Sequence, residues 1–220
     1  MMAISSITEE IKVQQAAAIA ADNDRPIGEI VARIVTLMGR IAQFWSNCER
    51  WAPDDAAEML GKSRLDRLAS MAETLTRWVE IQPEKMTDGE LIMAWANLGS
   101  LAEGTLKLFL CVYLRDYKAD DKNTQKTQAY HVKKKLLLDP DGLSMNTLIS
   151  YFETATIVPV DEIELLKRIQ SKRNTIHVFQ DLGIGDAHQF HTAVREYRQL
   201  LKSFNSRLPY PDEQYEPREI

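Results

Sequence analysis

Apolar residues return every three or four positions along most of this chain, the spacing of amphipathic helices. The clearest run is Ile27, Ile30, Val31, Ile34, Leu37, Met38, Ile41, Phe44, Trp45 and Cys48. It predicts a helix from an Asp24 N-cap, with Pro26 in the first turn, to about Arg50. An earlier helix is expected from a Ser6/Glu9 capping box to about Ala20. Pro53 starts a short helix that Gly61 ends, and Ser63 with Asp66 opens another that turns Leu65, Leu68, Met71, Leu75, Trp78 and Val79 inward before Pro83 stops it. Thr87 and Glu90 form a second capping box and begin the longest helix, to about Tyr117. Its apolar residues surround much of the cylinder, which marks a central helix buried on several sides.

Beyond it the pattern weakens. Asp120 to Gln125 has no apolar anchor and reads as a loop, Asp139 to Gly142 as a turn, and Leu143 to about Thr154 as a short helix. Thr154 to Val160 is rich in β-formers, but Pro159 and its brevity favour a loop over a strand. A third capping pattern, Asp161 with Glu164, launches a helix whose stripe is Leu165, Leu166, Ile169, Ile176 and Phe179. Gly183 and Gly185 turn the chain into a last helix from about Asp186, and the acidic tail after Pro209 is expected to fray. The sum is an all-α bundle of about seven helices around a buried central helix, without a strand. A boundary between Pro83 and Thr87 separates an N-terminal helical region, residues 1–85, packed on the rest, from a second part at 86–208 and a flexible acidic tail at 209–220.

Composition narrows the class. A charged fraction of 27% and a hydrophobic fraction of 45% are ordinary for a soluble globular protein. A net charge of −5 means that any nucleic-acid site must be a local basic patch. The best such patch is Arg115 to Lys135, where seven lysines and arginines face three aspartates for a net +4. It reads either as a solvated connection or as a phosphate-contacting segment in which Lys133, Lys134 and Lys135 bind RNA, with Tyr130 and His131 placed to stack on bases. Cys48 and Cys111 fall on apolar faces without zinc spacing, so they read as buried thiols of a reducing cytoplasm. No basic leader precedes the first apolar stretch and no run of about 18 apolar residues occurs, so neither a signal peptide nor a membrane span is expected.

Phosphate-binding glycine loops, dinucleotide fingerprints and a serine-nucleophile elbow are missing. His188 and His191 are three apart, but only Asp186 lies near them, and no metal or other cofactor is expected. The densest chemistry is Lys172-Arg-Asn-Thr-Ile-His177. Arg173 and His177 are four apart, which on a continuous helix stacks them on one face. They read either as surface cations with a histidine favoured by the helix dipole, or as a site. In the second reading the imidazole moves a proton off a ribose 2′-hydroxyl, the guanidinium holds the phosphate, and Asn174 orients either group. Glu103, paired at i,i+4 with Lys107 on the central helix, is either a solvated partner or a polar insertion facing that site.

Lys172 to Phe179 resembles the terminal-helix motif of the HEPN family (higher eukaryote and prokaryote nucleotide-binding domains). The likeness extends over Trp95 to Phe109 and to Arg207-Leu-Pro-Tyr-Pro-Asp212. It covers roughly the last 130 residues. The resemblance implies a helical bundle, often a homodimer, and a metal-independent endoribonuclease of a toxin–antitoxin or defence system, with an antitoxin or defence protein as partner. It implies Arg173, Asn174 and His177 as site residues, with Glu103 as a polar partner. The family commonly places four to six residues between its arginine and histidine, whereas three separate Arg173 from His177 here; Lys172 occupies the position with four. The alternative is a non-catalytic helical module that dimerises or binds a partner or a nucleotide.

Overall fold

The computed structural model describes residues 24–49, 51–177, 179 and 182–220, so the expected helix from Ser6 to Ala20 lies outside the described residues. Helix α1 spans Ile27–Trp45 and is capped by Pro26, whose backbone at φ −54 and ψ 138 is extended. The Pro26 carbonyl accepts the first helical bonds, from Glu29 and Ile30, so Asp24 is not the N-cap. At the other end, Ser46 and Asn47 donate their side chains to the carbonyls of Ala42 and Gln43 and close the helix five residues before Arg50. Helix α2 spans Asp54–Lys62 and α3 spans Leu65–Val79. Ser63 ends α2 instead of opening α3: its amide reaches Met59 and Leu60, and its hydroxyl donates to the Met59 carbonyl.

The central helix α4, Asp88–Val112, begins at the expected capping box, where Thr87 and Glu90 satisfy each other's backbone amides. It ends earlier than its apolar run, because Tyr113 leaves helical geometry at ψ 35 and sends its hydroxyl to the carbonyl of Arg207. The chain then re-forms as α5, Leu114–Ala119, and α6, Asp121–Thr124. A two-residue ladder follows, β1 (Tyr130–His131) pairing antiparallel with β2 (Leu136–Leu137), where no strand was expected. Lys135 makes its turn in left-handed geometry, φ 49. Helix α7, Met145–Thr154, is capped by Ser144, and α8, Val160–Arg173, starts after Pro159 with no side-chain cap, so Asp161 does not play that role. Helix α9, Ala187–Asn205, is capped by Asp186, whose carboxylate accepts from the Gln189 amide.

Helices α1 and α3 pack on each other, α4 lies against α3 and α8, and α9 spans α1 and α4. One apolar core therefore runs from Ile30 to Leu208 across the sequence boundary at Pro83. At its centre Trp95 is fully buried, edge-on to Phe190 at 5.3 Å, and Phe109 meets Phe152 and Phe204. The acidic tail, expected to fray, is docked. Glu219 accepts two bonds from Arg198, a guanidinium only 2% exposed, and lies near Arg33 and Lys202. Arg40 donates to the carbonyls of Arg218 and Ile220, and Asn205 to that of Pro217. A buried guanidinium needs a carboxylate. Here the tail supplies it. No helix among the described residues is long and apolar enough to cross a membrane.

Candidate functional site

Helix α8 presses Ile163, Leu165, Leu166 and Ile169 into the core, and this anchors the polar segment at its C-terminal end. Lys172 and Arg173 close the last turn, where positive charge offsets the negative end of the helix dipole. The α-helix stops at Arg173. Asn174–Ile176 tighten into a 3₁₀ turn, the Thr175 hydroxyl donates to the Lys172 carbonyl at 2.7 Å, and the His177 amide donates to Asn174 at 3.0 Å. Two β-branched residues in succession, Thr175 and Ile176, make this a poor place to continue a helix. The four-residue spacing of Arg173 and His177 therefore does not stack them on one helical face, as expected for a continuous helix. The stripe also fails past the break: Ile176 is 47% exposed and Phe179 fully so.

Arg173 is the fixed point. Its stem lies across Gly99 of α4, so closely that a Cβ built there would fall 2.7 Å from the Arg173 Cδ and 2.9 Å from its Cβ. Its guanidinium donates to Glu103 Oε2 at 2.5 Å and to the Met145 sulfur at 3.7 Å. Glu103 Oε1 meets Lys107 Nζ at 2.9 Å, and Lys107 also donates to the Asp141 carbonyl at 2.9 Å. Gly99, Glu103 and Lys107 lie four apart and line one face of α4, so a single helix offers the arginine a seat, a counter-charge and a second cation. The Arg173 and Glu103 side chains are 33% and 19% exposed, so the pair is partly shielded from solvent.

The remaining sequence candidates stand apart from this pair. Lys172 donates to the Gly183 carbonyl at 2.6 Å, which ties Gly183 to the end of α8. Asn174 and His177 are exposed, and no side-chain bond to the His177 imidazole is made among the described residues. Lys133, Lys134 and Lys135 are exposed on the β1–β2 hairpin. His131 accepts the Lys134 amide at 3.4 Å through Nδ1, which gives it a turn-capping task. His191 is partly buried; burial, then the positive fields of His188 and Arg195, push its pKa below the ordinary histidine range. No group of three or more His, Cys, Asp or Glu among the described residues could hold a metal ion.

Gly99 and Met145 escaped the sequence reading. A helical glycine four residues before a glutamate was the available signal for the first; nothing marked the second. No family model matches the chain, and neither a curated protein nor a solved structure does.

Proposed function

We propose that this chain is a HEPN-like helical protein that cleaves RNA without a metal ion, as a homodimer and with an antitoxin or defence protein as its partner. The observation that carries the reading is an arginine locked in place by Gly99 and Glu103, with an exposed imidazole four residues along. Neutral His177 takes the proton of a ribose 2′-hydroxyl, and the 2′-oxygen attacks the adjacent phosphorus. The 5′-oxygen leaves with a proton drawn from solvent, and a 2′,3′-cyclic phosphate remains. Arg173, offering the N–H groups not spent on Glu103, neutralises the charge that builds on the phosphate, and Asn174 orients the group being cut. Lys172 adds positive charge, and Lys133, Lys134 and Lys135 hold more distant phosphates. Ile176, Phe179 and Leu182 expose apolar surface beside His177, which suits a second copy of the chain.

The test is incubation of the purified protein with total RNA, followed by detection of cyclic-phosphate ends. His177→Ala is expected to lower cleavage by about 100-fold or more, the usual worth of a positioned general base. Wild type leaving RNA as intact as His177→Ala does would refute the nuclease, and equal cutting by both would refute His177 as its base. A second reading, a non-catalytic module that binds a partner or a nucleotide, draws on the Arg173–Glu103 ion pair, in which the arginine already has its carboxylate. Retained RNA or nucleotide binding by an inert wild type favours that reading.

A further inference from the structure

Between α3 and α4 lies a cleft of about 310 Å³, at the small end of the range for ligand sites of roughly 300–1,000 Å³. Its wall is apolar: Leu60, Leu65, Leu68, Met71, Leu108 and Cys111. Burial, then the fields of Asp141 and Asp139, push the Cys111 thiol up to about 12, so it stays neutral and offers no charge to a ligand. Three cations, Arg64, Arg67 and Lys107, line it together with Asp141. Arg64 is engaged by Asp66 at 2.6 Å, and Lys107 by Glu103. Arg67 is exposed and makes no ion pair among the described residues. Gly104 gives the cleft its depth, because a side chain there would meet Leu68 at 2.4 Å.

We infer that this cleft binds a small amphipathic anion, a short aliphatic or aromatic body lying on the leucines with its carboxylate or sulfonate at Arg67 and Lys107. An apolar body leaves water for an apolar wall, and the anion meets the unpaired arginine before it must compete for any cation already engaged. Lys107 is shared between this cleft and the Glu103–Arg173 pair, so a bound anion competes with Glu103 for the lysine. That consequence rests on the functional reading of Arg173, whereas binding itself does not.

Octanoate is the probe, titrated by calorimetry into the full chain in the absence of RNA, so that the outcome is independent of nuclease activity. Octanoate is expected to bind, 1-octanol at least tenfold more weakly, and Arg67→Glu to weaken octanoate at least tenfold with an unchanged far-ultraviolet spectrum. Lys85→Glu, an exposed charge reversal away from the cleft lining, is expected to leave binding unchanged. No octanoate binding at millimolar concentration overturns the inference, as does equal binding of 1-octanol. Affinity unmoved by Arg67→Glu, or lowered as much by Lys85→Glu, overturns it too.

Discussion

Gly99→Ala isolates the close contact that seats Arg173. An added methyl at Gly99 would sit 2.7 Å from the Arg173 Cδ and 2.9 Å from its Cβ and Cγ. The Cδ could swing aside, but the Cβ is tied to the α8 backbone, so the two helices must separate or Arg173 must leave Glu103. Forcing an extra methyl into a packed site costs about 1–3 kcal/mol. Replacing a helical glycine by alanine returns roughly 0.5–1 kcal/mol through backbone entropy. Gly39, inside α1 with nothing within 4 Å of its added Cβ, collects the second effect alone. Subtracting one variant from the other cancels the propensity gain, so Gly99→Ala should fall about 1–3 kcal/mol below Gly39→Ala. With a urea slope of about 2 kcal/mol per molar, the two midpoints should differ by roughly 0.5–1.5 M. Gly39→Ala should raise the wild-type midpoint and Gly99→Ala should not. An equal rise in both would refute the tight α4–α8 contact, and with it the claim that Arg173 is held from its stem as well as from its charge.

Other outcomes follow from the core and the tail. Trp95→Ala removes a fully buried indole packed edge-on against Phe190 and should cost about 3–5 kcal/mol in urea unfolding; an unchanged midpoint would displace α4 from the centre. Burial works to raise the Glu219 pKa, but the bonds and charge of Arg198, with Lys202 and Arg33, outweigh it and hold the carboxyl below its ordinary value. A folded-state pKa that is depressed contributes stability above the unfolded value near about 4.3, and this is lost as pH falls through the folded value. Glu219→Gln should therefore be less stable than wild type at pH 7, and the gap should close as the pH drops below about 4. A gap that widens on acidification would contradict the docked tail.

Much of this fold is local and was legible in the residue order. The Thr87/Glu90 capping box needs only four consecutive positions to satisfy its amides, and the stripe from Ile30 to Trp45 needs only helical period and one core to face. The pairing of Glu103 with Lys107 has the same origin. What the residue order left open depends on groups distant in the chain. The helix carrying Arg173 stops before His177, and the stripe assumed to continue through Ile176 and Phe179 turns outward there. Periodicity alone had no way to register a 3₁₀ turn bonded through Thr175. The tail reads as acidic and soluble, yet Arg198 is buried and draws Glu219 onto it across 21 residues.

Sequence by itself determined that this chain is helical, that α4 is its buried axis, and that its densest chemistry lies between Lys172 and His177. Only the tertiary structure decided what each of those residues meets. Glycine at position 99 let α8 approach α4 closely enough for Arg173 to reach Glu103, while the end of the helix released His177 to solvent. A helix boundary and an interhelical distance are set by what packs against the chain, and spacing along one strand of residues carries neither.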